Sequence, residues 1–301
     1  MTSSLSSESV ALIIPTLNSP TLGAVLDRIR VQTMSRSDID VVVVGRDDDH
    51  EAQRRSIRHL SPDQSLNPAE ARNLGIRSTT AERIIFLDSD CLPEPGWLDA
   101  MLANLVEDRV IVSGAIRIVP DQYLRLAGNV STFNEYTSGL PASGRLFLPT
   151  FSLGLHRRVI SLHGGFDERL PRAEDLDFTI RMQQAGYRLR FEPAAAVVHR
   201  SQRVTWSGLI DHSILSGQCS IQVRRRYPDS FGMPQLLLHW PLLMVLAPVL
   251  ALSVAARALM RNPDVRKYWL ALPIVATTRF LWIIGACQYL REDSPSNGSR
   301  G

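Results

Sequence analysis

The chemistry in this sequence begins with Asp88-Ser89-Asp90, which follows the apolar run 84–87 without a gap. In a strand alternate residues share a face, so the two carboxylates are expected to point the same way at the strand end. Paired hard oxygen ligands suit Mg²⁺ or Mn²⁺, and such a cation usually also binds substrate phosphates. The plainer reading is a polar turn leading to a helix near Pro95. A second acidic group, Glu174-Asp175-Leu176-Asp177, opens a segment with Phe178, Ile180 and Met182 as apolar members and Gly186 as its stop. Carboxylates in a first helical turn are kept ionised by the helix dipole. That is ordinary helix-start chemistry, and it also describes a general base for an acceptor hydroxyl. His199 closes the apolar run 194–198 as either a structural imidazole or a third metal ligand.

Elements that could position these groups are legible in the spacing. Residues 10–14 form a short apolar run that Pro15 is expected to stop. Ser19 reads as an N-cap with Pro20 in the first helical position. Leu22, Val25, Leu26 and Ile29 then recur as one helical face. Residues 41–44 are a β-branched strand. Asn67-Pro68-Ala69-Glu70 resembles a capping box that opens a helix through Ser78. Residues 84–87 and 110–112 read as strands, with Leu98, Met101, Leu102 and Leu105 marking a helix between them. Alternation at this spacing predicts an α/β fold, a mainly parallel sheet covered on both faces. Ligands then bind beyond the carboxyl ends of the strands, where Thr16, Asn18, residues 47–49, Asp88 and Asp90 fall.

The order of motifs resembles the family 2 glycosyltransferases. It runs Ile13-Ile14-Pro15-Thr16-Leu17-Asn18, Ala71-Arg72-Asn73-Leu74-Gly75, Asp88-Ser89-Asp90, Gly164-Gly165-Phe166-Asp167-Glu168, Glu174-Asp175, Ala185-Gly186-Tyr187 and His199, covering about residues 10–200. The resemblance implies a GT-A fold, a nucleotide-sugar donor, a divalent cation (Mn²⁺ or Mg²⁺) and inversion at the anomeric carbon. By the same resemblance Asp88, Ser89 and Asp90 would meet the donor diphosphate, with Asp88, Asp90 and His199 holding the metal. Asp175 would be the base and Glu174 would lie in the acceptor site. Pro15, Thr16 and Asn18 would form the loop under the nucleotide, and Arg72 and Asn73 the helix that approaches it. The leaving group is a nucleoside diphosphate, whose developing charge calls for a cation, while the acceptor hydroxyl calls for a base across the cleft.

The sequence departs from the family pattern in three places. Residues 41–44 are followed by Gly45-Arg46, so the first acid after that strand is Asp47; either it takes the nucleotide role with a shifted loop, or nucleotide recognition differs. Ser152 stands where relatives often carry Asn. Gln202-Arg203-Val204-Thr205-Trp206 lacks the QxxRW spacing of processive synthases, which favours one sugar per encounter.

The chain has 301 residues and a formal net charge of +3, with 45% hydrophobic residues, so a sizeable core is expected and disorder is excluded. That small positive excess gives no argument for nucleic acid. Three scattered cysteines without CxxC exclude a zinc ribbon and a disulfide framework and fit a reducing compartment. The polar N-terminus has no signal-peptide pattern.

Residues 235–256 carry no charge, and 268–290 carry Arg279 near the middle. About 20 helical residues cross a bilayer core. Three models are open, a two-helix hairpin, helices lying in the interface and a soluble helical pair; basic residues on both sides, Arg224 to Arg226 before and Arg257, Arg261, Arg266 and Lys267 between, conflict with a simple hairpin and fit helices embedded from the cytoplasmic face. The chain therefore divides into polar ends (1–9 and 291–301, expected to be disordered), a catalytic domain (10–205), a basic helical linker (206–233) and a hydrophobic, membrane-associated pair (234–290). Expected partners are a sugar nucleotide, a lipid-linked or envelope saccharide and membrane lipids.

Rival classes fit less well. A nucleotidyltransferase would show a Gly-rich basic loop after the first strand, and a dinucleotide oxidoreductase would show GxGxxG there. Pro15-Thr16-Leu17-Asn18 has neither. A binding scaffold without turnover would not need all three of Asp88, Asp90 and Asp175.

Overall fold

A computed structural model describes residues 9–232 and 234–293. The polar ends 1–8 and 294–301 lie outside the described residues, and with them most of the two segments expected to be disordered. Contacts divide the chain into two units, 1–117 with 141–200 and 118–140 with 201–301.

The first unit contains a nine-stranded sheet. In chain order it runs β1 (Val10–Leu17), α1 (Leu22–Thr33), β2 (Ile39–Arg46), α2 (Glu51–Arg54), β3 (Arg58–Leu60), α3 (Pro68–Arg77), β4 (Arg83–Leu87), β5 (Cys91–Pro93), α4 (Trp97–Ala103) and β6 (Val110–Ile116). Helix α5 (Tyr123–Phe133) belongs to the second unit. The first unit resumes with β7 (Ser143–Gly144), β8 (Ser152–His156), α6 (Arg157–His163), α7 (Glu174–Gln184) and β9 (Arg188–His199). Strand order is β3-β2-β1-β4-β8-β6-β9-β5, with β7 on β9.

The sheet is mixed rather than mainly parallel. Strands β1 to β4 pair parallel, as does β6 with β9, but β8 runs antiparallel between β4 and β6. Its sequence, Ser-Leu-Gly-Leu-His, is short and buried on both faces, so it carries no alternating signal.

Strand β1 does not stop at Pro15. It pairs with β2 through Leu17 but with β4 only through Ile13. The amides of Val10 and Asn18 donate to Asp38 and Arg46, so even-numbered amides face β2. Pro15, being odd, places its missing donor on the side that β4 has already left.

Helix α1 begins at Leu22 rather than after Ser19, because Ser19 and Pro20 form a turn whose Ser19 carbonyl accepts from the Leu22 amide. Its face is as read: Leu22, Val25, Leu26 and Ile29 are buried. Helix α3 starts in a complete capping box, Asn67 accepting from the Glu70 amide and Glu70 from the Asn67 amide. Gly75 lets α3 lie on β1, since a Cβ there would come within 2.4 Å of the Ile13 side chain.

Gly45 explains the departure after the second strand. Its φ is +114°, and a Cβ would come within 2.1 Å of the Thr16 carbonyl oxygen on the neighbouring strand. An acid cannot stand there without moving β1.

The second unit contains α5, α8 (Trp206–Arg226), α9 (Pro228–Phe231), α10 (Trp240–Arg261), α11 (Pro263–Arg266) and α12 (Leu272–Glu292). Helices α10 and α12, the latter extended to Trp269, are long and apolar enough to cross a membrane by length and composition. Asn262 sits between α10 and α11, donating to the Asn134 carbonyl and the Thr137 hydroxyl just beyond α5 and accepting from the Asp264 amide.

Gly45→Ala is expected to lower the free energy of unfolding by about 2 kcal/mol or more, from backbone strain and the clash with Thr16 together. A denaturant titration of both proteins checks it.

Candidate active site

The polar groups collect beyond the carboxyl ends of β1, β2 and β4. The Asp88-Ser89-Asp90 motif is not a continuation of β4. It is a tight turn, with the Cys91 amide donating to the Asp88 carbonyl at 2.9 Å. The two carboxylates therefore have separate partners. Asp88 accepts from Arg72 Nη2 at 2.8 Å, and Asp90 lies 3.3 Å from His199 Nε2. The turn is pinned from the first loop, where the Ser19 and Thr21 hydroxyls both donate to the Ser89 carbonyl at 3.0 Å.

Pairing of β5 with β9 sets Cys91 opposite His199. One ligand atom from each of Asp90, Cys91 and His199 lies within 4.8 Å of the others. These three, rather than Asp88 with Asp90 and His199, form the group of potential metal ligands among the described residues. A carboxylate and an imidazole fit a divalent cation such as Mn²⁺; the thiol adds a softer donor. Cys91 was legible only as the neighbour of Asp90, because a cysteine without a CxxC partner carries no spacing signal.

Arg72 is buried on α3 and reaches both acidic motifs. Its Nη1 donates to Glu174 at 2.6 Å while Nη2 donates to Asp88. Glu174 and Asp175 open α7, whose N-cap Ala173 is left-handed at φ 62°. The helix closes as read: Gly186 has φ +85°, and the Tyr187 amide donates to the Met182 carbonyl. Asp175 is half-buried and accepts from the Leu176 amide at 2.7 Å. Burial, and then the neighbouring Glu174, push its carboxyl up to about 7, against the opposing pull of Arg72 and of that amide.

Other residues from the sequence reading are committed elsewhere. Asn73 donates to the Phe166 carbonyl and to Glu168 and accepts from the Phe166 amide, so its amide holds the 164–168 loop. Gly165 is needed there, because a Cβ would come within 2.3 Å of Asn73 Oδ1. Asp47 is buried and accepts from the Glu51 and Ala52 amides, capping α2. The acid left facing the strand ends is Asp48, which accepts from Asn18 at 2.7 Å and from Arg46 at 2.9 Å. Asn18 returns the contact, accepting from the Asp48 amide in a left-handed conformation of φ 52°. Thr16 is buried and accepts from the Ser19 amide; Pro15 is half-buried beside it. Ser152 accepts from the Trp97 indole in the core, so its hydroxyl is spent on packing.

Residues 11–159 match the family described as Glycosyl transferase family 2. The pre-mycofactocin glycosyltransferase of Mycobacterium tuberculosis is 32% identical over 192 residues, 60% of this chain and 40% of that protein. The chain thus spans less than half the length of that relative. The O-antigen chain rhamnosyltransferase RfbN of Salmonella typhimurium is 27% identical over 212 residues, 65% of this chain and 67% of its own. Among solved structures, the mannosyltransferase PcManGT of Pyrobaculum calidifontis, in complex with GDP-Man and Mn²⁺, aligns with a TM-score of 0.64 at 21% identity. That alignment covers 95% of this chain and 88% of that one. At that identity the likeness is one of fold, and the fold is GT-A.

Replacing Arg72 by Met strands the buried Glu174 carboxylate beside Asp175. The variant is expected to lose about 3 kcal/mol of stability, as when one member of a buried ion pair is removed. Urea unfolding at neutral pH checks it.

Proposed function

Because this chain belongs to glycosyl transferase family 2, we propose that it is an inverting, metal-dependent transferase. It would move a sugar from a nucleoside-diphosphate sugar to a hydroxyl of a lipid-linked or envelope saccharide. The observation that supports the reading is Arg72, which joins the Asp88 turn, next to the Asp90–His199 pair, to Glu174, the neighbour of Asp175.

Asp175 takes the proton of the acceptor hydroxyl as that oxygen attacks the anomeric carbon. A base with a pKa near the working pH combines adequate ionisation with useful basicity. Arg72 opposes the rise in the Asp175 pKa and, through Glu174, holds the first turn of α7 in place. Asp90 and His199, with Cys91 beside them, would hold the divalent cation, which when bound neutralises charge on the departing diphosphate. Asn18 and Asp48 form the polar patch past β1 and β2 that would meet the nucleoside, with Asp48 in place of Asp47. Asn73 supports the site through the 164–168 loop.

The acceptor class follows from the second unit, whose apolar segments are the support for association with a membrane, read here as its cytoplasmic face. A membrane-held transferase meets acceptors carried on lipid more often than soluble ones.

The deciding experiment is calorimetric binding of UDP, GDP and dTDP with and without Mn²⁺. Metal-dependent binding of one of them is expected, lost in Asp90→Ala and retained in Asp175→Asn. Failure of all three to bind overturns the donor reading. Asp175→Asn should lose transfer, and full transfer by that variant would remove Asp175 as the base. In the unmutated protein kcat/KM should rise with pH through an apparent pKa near 7, since the base works ionised.

The same shift has a stability consequence of known sign. A carboxyl raised above its unfolded value contributes stability present at low pH and lost as pH rises through the folded pKa. Asp175→Asn escapes that loss, so its Tm advantage should be larger at pH 8 than at pH 5.

A further inference from the structure

We propose that α10 lies in the plane of an anionic bilayer surface, with its outward face in the lipid, and that α12 is a core helix that never enters the membrane. This deepens the membrane association proposed above and rests on it. It separates two helices that composition alone treats alike.

Helix α12 is more covered than α10. Between Leu272 and Leu290 its only exposed residues are Pro273 and Thr277. Helix α8 meets it at backbone distance. A Cβ on Gly217 would come within 1.9 Å of the Trp282 carbonyl oxygen, and one on Gly285 within 2.0 Å of the Ile214 carbonyl oxygen. Gln218 donates to Gln288 at 2.9 Å farther along the same seam. Leu209 packs with Ala271 and Ile274 at one end and Arg225 pairs with Asp293 at the other, so the two helices run side by side in the same direction. Asp211, two residues beyond the Leu209 that packs with Ala271 and Ile274, stands by the start of α12 and is exposed.

Helix α10 is open on one side. Leu243, Ala247, Ala251, Ala255 and Ala258 pack inward, small residues that bring the helix close to its support. The opposite face shows Val245, Val249 and Leu252 at 75%, 65% and 62% exposure, with Met244 and Met260 continuing the stripe. No charge interrupts it before Arg257. Such a stripe on a helix is covered by something.

Charge identifies the occupant. At the carboxyl end of the stripe stand Arg257, Arg261, Arg266 and Lys267, all exposed, against the single carboxylate Asp264. Trp269 and Leu270 follow, each 61% exposed. Apolar residues, a Trp and a group of cations on one side are what an anionic headgroup layer accepts from a helix lying in it.

The test uses the purified full chain and vesicles of phosphatidylcholine with and without phosphatidylglycerol, read by co-sedimentation. Binding is expected only with phosphatidylglycerol and should weaken with added salt. Val245→Glu/Val249→Glu/Leu252→Glu should abolish it. Arg257→Gln/Arg261→Gln should weaken it about thirtyfold, the effect of removing two surface cations. Far-UV circular dichroism confirms that each variant is folded, and the arginine pair keeps the test open if the triple variant is not. Alkaline carbonate should release the unmutated chain from native membranes. Resistance to carbonate overturns the in-plane orientation in favour of spanning helices. Unaltered binding by both variants overturns the assignment to α10 while leaving membrane association standing. No binding to either vesicle removes the membrane reading itself. A change of oligomeric state in the triple variant, without vesicle binding, would mean that a second copy covers the stripe.

Discussion

A buried guanidinium shared between two carboxylates is the constraint around which the catalytic unit is organised. Arg72 must have anionic partners, because an unpaired cation at that depth is too costly to persist. Its fork can satisfy Asp88 and Glu174 together only if α3, the turn after β4 and the start of α7 come to one point. Each of those elements has its own local cause. The capping box fixes where α3 begins, Gly75 sets how near it lies to β1, and the hydroxyls of Ser19 and Thr21 hold the Ser89 carbonyl. The ion pairs collect the result of this placing. Taken alone they would stabilise little, since desolvation offsets much of their attraction.

The same arrangement separates two carboxylates chemically. Asp88 faces a guanidinium directly. Asp175 has burial and Glu174 raising its pKa, with Arg72 and the Leu176 amide pulling it down. Burial wins, which leaves Asp175 poised near neutrality. The base role proposed for it calls for a cation close enough to permit ionisation and too far away to quench basicity. Glu174, standing between Arg72 and the start of α7, supplies that separation.

Local signals were legible in the sequence wherever the cause was local. The capping box at Asn67 and Glu70, the face formed by Leu22, Val25, Leu26 and Ile29, and the close of α7 at Gly186 all depend on residues within a turn or two. Antiparallel insertion of β8 was not legible, because which strand lies beside which is decided by packing between distant segments. Pro15 misled for a related reason. A proline ends a strand only if its missing donor faces a partner, and the partner on that side had already departed. Cys91 and Asp48 show the limit at the site. Both neighbour residues with an obvious acid signal, and the choice between Asp47 and Asp48 turns on which carboxylate the amides of α2 consume.

The two apolar helices carry this argument furthest. Their composition passes one threshold, yet α12 is covered by more of its neighbours than α10 is. Hydropathy averages around a helix and discards direction. Direction is restored by small residues. The alanines of α10 lie on the side that is buried, and Gly217 and Gly285 mark where α8 and α12 touch at backbone distance. A large apolar residue is ambiguous between core and lipid. An alanine or glycine at helical spacing inside an apolar segment identifies the side that faces protein, and its opposite face is then the one whose covering must be explained.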